Sequence, residues 1–107
     1  MQNGLYKVEF KTPLGAGAGV VVLQDGKIQG GDSSMYYVGD YSESGQTFSA
    51  RLEGKLHTNM PGLVSVFGVN HTHIKLSGQT SGDSAVMQGK ADEAPTVQFQ
   101  AKLTRIQ

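Results

Sequence analysis

Apolar and polar residues alternate along most of this chain with the two-residue period of a β-strand. In the first run Tyr6, Val8 and Phe10 fall on one side, and Lys7, Glu9 and Lys11 on the other. Thr12-Pro13-Leu14-Gly15 breaks the run and turns it. A second strand follows from Gly15 to Gln24, glycine-rich at its start and dense in β-branched valine at its end. Asp25-Gly26 is a two-residue hairpin signal into Lys27-Ile28-Gln29. Gly30 to Ser34 turns the chain again, into a strand from Met35 to Tyr41, and Ser44-Gly45 marks the next reversal. From Thr47 to Leu56, Phe48, Ala50, Leu52, Gly54 and Leu56 oppose Thr47, Ser49, Arg51, Glu53 and Lys55. Alternation resumes at His71, with Ile74 and Leu76 inward and His73 and Lys75 outward. Ser81-Gly82-Asp83 then leads into Ala85 to Ala91, and Asp92 to Pro95 into a last strand carrying Val97, Phe99, Ala101 and Leu103 on one face.

About eight short strands joined by close turns predict an all-β meander. Closing such a sheet removes its two edges, which would otherwise template aggregation. A single up-and-down, lipocalin-like β-barrel spanning residues 1–107 is therefore the expected fold, with a two-sheet sandwich as the alternative. Only the stretch from His57 to Asn70 breaks the pattern. There Asn59 can cap a short mid-chain helix with Pro61 in its first turn and Gly68 at its end; a loop is the competing reading.

Composition narrows the function classes. The chain has 107 residues, 37% of them hydrophobic, with 15 glycines besides, which is the make-up of one globular domain. Nine basic residues balance nine acidic ones. A nucleic-acid binder carries a basic excess to neutralise phosphates, so direct nucleic-acid binding is not expected. There is no cysteine, hence no disulfide framework and no thiolate chemistry. The longest apolar run, Val20-Val21-Val22-Leu23, is far too short to cross a bilayer, and Met1 to Lys7 lacks the basic start and apolar core of a secretory signal. A soluble, cytoplasmic protein without membrane contact is the expectation.

Candidate chemistry is sparse. Gly17, Gly19, Gly39, Ala50, Gly54, Ala85, Gly89, Ala91 and Ala101 share the alternation of the large inward residues. Either large neighbours fill the space they leave, or they leave a cavity for one small apolar molecule. The filled core is the favoured account, because aromatic and methionine side chains fill such gaps. His71-Thr72-His73 puts two imidazoles on one face of a strand, a spacing that can chelate a metal, and His57 is a conceivable third. No carboxylate stands at a telling spacing, so solvated outer-face histidines are the plainer reading, and no metal or cofactor is expected. Asp92-Glu93 reads as a solvated turn. Gly15-Ala16-Gly17-Ala18-Gly19 lacks the lysine and helix of a phosphate loop. No serine or threonine stands in a nucleophile-elbow string. The chain reads as non-enzymatic.

The order Asp25-Gly26, Gly30-Gly31-Asp32 and Tyr37-x-Gly39, after an opening Asn3-Gly4-Leu5-Tyr6, resembles the GrlR-type negative regulators of type III secretion. Pro61 and Leu63-Val64 are similar to a proline-led segment of that family. The resemblance implies a lipocalin-like barrel, a homodimer, and negative regulation by binding a transcriptional activator protein such as GrlA. It also implies a partner-binding loop after the glycine–tyrosine strand. Where the family carries a run of acidic residues, this chain has Ser42 followed by Glu43, Ser44, Gly45 and Gln46, with a single acid, so charge attraction to a basic partner would be weaker. An apolar small molecule inside the barrel is the alternative function.

One further pattern bears on partners. Tyr36 and Val38 oppose Met35 and Tyr37, and Val20 and Val22 oppose Val21 and Leu23. Apolar residues on both faces of two strands predict that part of the outer surface is covered, by a second copy of the chain or by the mid-chain segment.

Overall fold

The computed structural model describes residues 1–62 and 67–107. Its eight strands are β1 (Gly4–Thr12), β2 (Gly15–Gln24), β3 (Lys27–Gly31), β4 (Met35–Ser44), β5 (Thr47–Leu56), β6 (His71–Ser81), β7 (Ser84–Ala91) and β8 (Ala94–Arg105). Each pairs antiparallel with the next, and β1 pairs with β8, so the sheet closes into an up-and-down barrel. The fold expected from the alternation is the one observed. The hairpin at Asp25-Gly26 has positive φ at both residues, 52° and 84°, the backbone that a tight two-residue turn between twisted strands requires. Among the described residues no helix is long and apolar enough to cross a membrane.

Inward positions are apolar but for Thr72, which is buried among them. Tyr6, Leu23 and Phe48 have no solvent exposure, and Val21, Ile28, Ile74, Met87, Phe99 and Leu103 are buried with them. Aromatic rings run through the centre. Phe67 stacks on Phe99 at 5.0 Å, Phe99 on Phe10 at 6.0 Å, and Tyr37 meets Phe10 edge-on at 6.2 Å. Tyr41 stacks on Phe48 at 5.3 Å. Edge-to-face and offset pairs of this kind contribute about 0.5–1.5 kcal/mol each beyond the area they bury.

The small inward residues are matched by these large ones. A Cβ on Gly17 would stand 2.8 Å from the Phe10 ring, and one on Gly54 would stand 3.1 Å from the Tyr37 ring. At Gly89 and Gly39 the limit is backbone: an added Cβ would lie 1.8 Å from the Lys75 carbonyl oxygen and 1.9 Å from that of Arg51. At these points neighbouring strands bend so sharply across one another that no side chain fits between them. The lining encloses about 40 Å³ of free space. At about 24 cal/mol per Å³, a void of that size costs roughly 1 kcal/mol. The filled-core account holds.

The expected mid-chain helix does not form in its described part. Residues 59–62 and 67–68 are turn and irregular backbone, and the remainder of that expectation, including Leu63 and Val64, lies outside the described residues. Gly62, the residue after Pro61, has a φ of 86°, a left-handed value that ends a helical turn, so it works against the helix that Asn59 and Pro61 would begin; the φ of 78° at Gly68 is the value expected of a terminating glycine. The segment is tied to the barrel end where β4 begins: the His57 and Thr58 amides donate to the Ser34 carbonyl, and Phe67 enters the core.

Gly30-Gly31-Asp32 builds the turn at that same end. Asp32 Oδ1 accepts from the backbone amides of Ser34 (3.0 Å) and Met35 (2.8 Å), while Oδ2 accepts the Tyr37 hydroxyl at 3.1 Å. Burial, reinforced by the Asp32 carboxylate, pushes the Tyr37 hydroxyl above the usual phenol range, so it stays a donor. His57 Nε2 reaches the Asp32 carbonyl at 3.0 Å, adding a strap from the following loop.

Two substitutions test these constraints. Gly89→Ala should lower stability by about 1–3 kcal/mol or more, whereas Gly15→Ala, which meets nothing within 4 Å, should stay within about 0.5 kcal/mol of the parent in urea unfolding. Asp32→Ala should cost about 1–3 kcal/mol by leaving two amides and the Tyr37 hydroxyl without their acceptor. A wild-type midpoint for Gly89→Ala would refute the close strand crossing.

Candidate functional site: the outer face of the barrel

With the interior packed, the outward side chains are what the molecule offers to other molecules. Strand register sorts them into rows. One row runs Lys7, Val20, Gly31, Tyr36, Lys55, His71 across β1 to β6. The adjacent row runs Leu5, Val22, Gln29, Val38, Glu53, His73. The middle of both rows is largely apolar, with Gln29 the polar exception, and the β5–β6 end is titratable.

The apolar part is exposed: Val20 is 46%, Val22 42% and Tyr36 37% accessible. Gly31, lacking a side chain, leaves a notch between Val20 and Tyr36. Single exposed apolar residues are ordinary on a protein surface. Val86 is such a case, outward on β7 between Gln79 and Lys102. Apolar residues grouped on β2 and β4, with only Gly31 and Gln29 of β3 between them, are the less common observation, and such patches mark interaction surfaces. The sequence expectation of apolar residues on both faces of β2 and β4 is met.

The loop expected to hold a partner is also at the surface. Glu43 and Ser44 end β4, and Gly45 and Gln46 form the two-residue turn into β5, all four of them exposed. Gly45 takes a φ of 63°. The Gln46 carbonyl accepts the Thr80 amide at 2.8 Å, which ties this turn to β6. The Glu43 carboxylate pairs with the Met1 ammonium, so the single acid of the loop already has a cation beside it.

At the β5–β6 end, the fold assembles a cluster that the sequence spacing did not reveal. Glu53 stands directly across from His73, and one pair along from His71. Glu53 Oε2 lies 2.8 Å from His71 Nε2 and 3.3 Å from His73 Nε2. The two rings are 4.9 Å apart. Glu93, in the turn between β7 and β8, reaches His73 from behind: its Oε2 is 2.5 Å from Nδ1, and its Oε1 accepts the His73 backbone amide at 2.7 Å. His57 is not part of this group; it sits at Asp32, bonded also to Thr58 Oγ1 at 2.7 Å. Beside the cluster, Val38, Arg51, Glu53, His73, Lys75 and Asp92 border an open groove of about 400 Å³. Asp92-Glu93 is a turn, as expected, but the missed feature is that Glu93 grips a histidine.

The electrostatics follow from these contacts. The hydrogen bond that the His73 ring donates to Glu93 raises the ring above the ordinary histidine value, helped by the charges of Glu93, Glu53 and Asp92. The same bond, with the backbone amide of His73, holds Glu93 down to about 2. Glu53 is lowered chiefly by its bond from His71.

Comparison with protein-family models finds no match, and comparison with curated proteins finds none.

The Glu93–His73 contact has a definite pH signature in metal-free protein. Because the folded pKa of His73 is raised, its contribution to stability is complete at low pH and is lost as pH rises through that value. Because Glu93 is depressed, its contribution is present above the unfolded carboxylate value and lost as pH falls towards 2. The pair therefore stabilises most in the mildly acidic window between. In an NMR titration the His73 ring should titrate above a free histidine, and Glu93→Gln should bring it down; an unshifted wild-type ring would contradict the contact.

Proposed function

We propose that this chain is a non-enzymatic regulatory protein that works by holding another protein against the outer face of its barrel. The observation that carries the reading is the exposed apolar stripe of Val20, Val22 and Tyr36, with the half-buried Val38 near Tyr36 on β4, on a barrel whose interior is filled. Apolar side chains on β2 and β4, separated only by Gly31 and Gln29 of β3, bury favourably against a partner, at about 25 cal/mol per Å². Aromatic anchors such as Tyr36 are the type that dominates interface energies. Following the resemblance in residues 25–39, the partner is a transcriptional activator, and the regulation is negative: the bound activator is withheld from its promoter, here a type III secretion locus. The barrel acts in the cytoplasm. A second copy of the chain is the competing occupant of the same stripe, which makes a homodimer the resting form. Glu43, Ser44, Gly45 and Gln46 form a secondary contact of polar character, since the charge of Glu43 is already paired with Met1.

The alternative, an apolar ligand inside the barrel, is poorly served by 40 Å³ of interior space. A cavity that holds benzene is about 150 Å³. No observation favours this reading.

Affinity capture from the native cytoplasm, with mass spectrometry of retained proteins and small molecules, tests the proposal. A helix-turn-helix activator should be recovered in stoichiometric amount. The double variant Val22→Lys/Tyr36→Lys should weaken that capture by about 30-fold or more, with its unfolding midpoint close to the parent's. Recovery of a lipid or metabolite without a protein, or capture unaffected by the double variant, would overturn it.

A further inference from the structure

We propose that Glu53, His71 and His73 form a surface site for a divalent transition-metal ion of the zinc class, with Glu93 as the residue that positions His73. The inference is independent of the partner-binding reading, since it rests on a different set of side chains.

The argument begins with lone pairs. A carboxylate only accepts hydrogen bonds, so the contact between His73 Nδ1 and Glu93 Oε2 places the proton on Nδ1. In the neutral ring, Nε2 is then an acceptor, and it faces a second acceptor, Glu53 Oε2, at 3.3 Å. His71 Nε2 converges on the same oxygen at 2.8 Å. Two acceptors so close need a cation between them: a second proton on His73, or a metal ion.

Geometry favours the metal. The donor atoms of Glu53, His71 and His73 all lie within 4.8 Å of one another. Zinc–nitrogen and zinc–oxygen bonds of about 2.0–2.1 Å set ligand atoms about 3.3 Å apart around a tetrahedral ion. The His73 separation from Glu53 Oε2 matches that value and the His71 separation is about 0.5 Å shorter, so small rotations of exposed side chains complete the set. All three ligands come from paired strands β5 and β6, whose register fixes their spacing. The contact behind His73 is the arrangement that tunes histidine ligands generally: a carboxylate on the far ring nitrogen selects the tautomer and orients the metal-binding one. Two imidazoles and a carboxylate suit zinc, copper or nickel, and disfavour magnesium and calcium, which take all-oxygen shells. Three ligands leave at least one coordination position turned outward, beside Lys55 and Val38 in the same two rows.

The test is calorimetric titration of the untagged full-length chain with Zn²⁺, paired with Co²⁺ absorption spectroscopy. One-to-one Zn²⁺ binding is expected, with visible Co²⁺ bands of low coordination number and no heat from Mg²⁺. His73→Gln and Glu53→Gln should each weaken Zn²⁺ binding at least tenfold, and His57→Gln should leave it unchanged. Glu93→Gln should weaken it about 10–100-fold under conditions where the metal-free variant keeps the far-UV circular dichroism of the folded parent, which separates positioning of His73 from loss of the fold. Absence of one-to-one binding, equal affinity in His73→Gln, or equal response to Mg²⁺ would overturn the assignment.

Discussion

Closure of the sheet is the constraint from which the rest of this molecule follows. β1 pairs with β8 over residues 6–11, so neither strand is left as an edge. Bending eight strands around so small an interior forces backbones to cross closely, and the crossings accept no side chain. Gly39 against Arg51, Gly78 against Val86 and Gly89 against Lys75 are the points where this is sharpest. Space vacated by glycine on the inner face is taken by an aromatic or aliphatic neighbour, as Phe10 covers Gly17 and Tyr37 covers Gly54. Curvature and core filling are thus solved by the same residues.

A packed interior divides labour between the two faces. The inside contributes stability, and recognition is left to side chains that the alternation turns outward. Those side chains are ordered by register: apolar in the middle of two rows, basic at Lys7 and Lys55, histidine and carboxylate at the far end. Neighbouring chemistry on this surface therefore comes from residues distant in sequence, with Val22 beside Val38 through Gln29, and Glu53 beside His73.

That arrangement explains what the sequence disclosed and what it withheld. Many strand limits were legible because the period of two and the turn residues agree; Thr47–Leu56 and the start at His71 are read directly from the alternation, whereas β3 runs on through Gly30 and Gly31, expected as turn, and β4 runs past Tyr41 to Ser44. The filled interior was legible as a preference, since small and large residues share one face. The segment from His57 to Asn70 misled because Asn59 and Pro61 are good helix starters, while the left-handed backbone at Gly62 reveals itself only in the folded chain. At the histidine pair, the chelating spacing was visible, but Glu53 lies 20 residues upstream of His73 and Glu93 lies 20 downstream, so only strand pairing and a distant turn bring them together. Periodicity reports which face a residue occupies; it is silent about who stands next to it across the strands.

The turn held by Asp32 has a wider consequence. Its carboxylate closes a backbone turn and anchors a buried tyrosine, and the glycines before it lie against the backbones of β2 and β4. Every part of that string serves architecture. It is therefore a hallmark of how a barrel is made rather than of what the barrel holds. Two chains sharing it can be built alike and differ altogether in the surface that the outward rows of β2, β4 and β5 present.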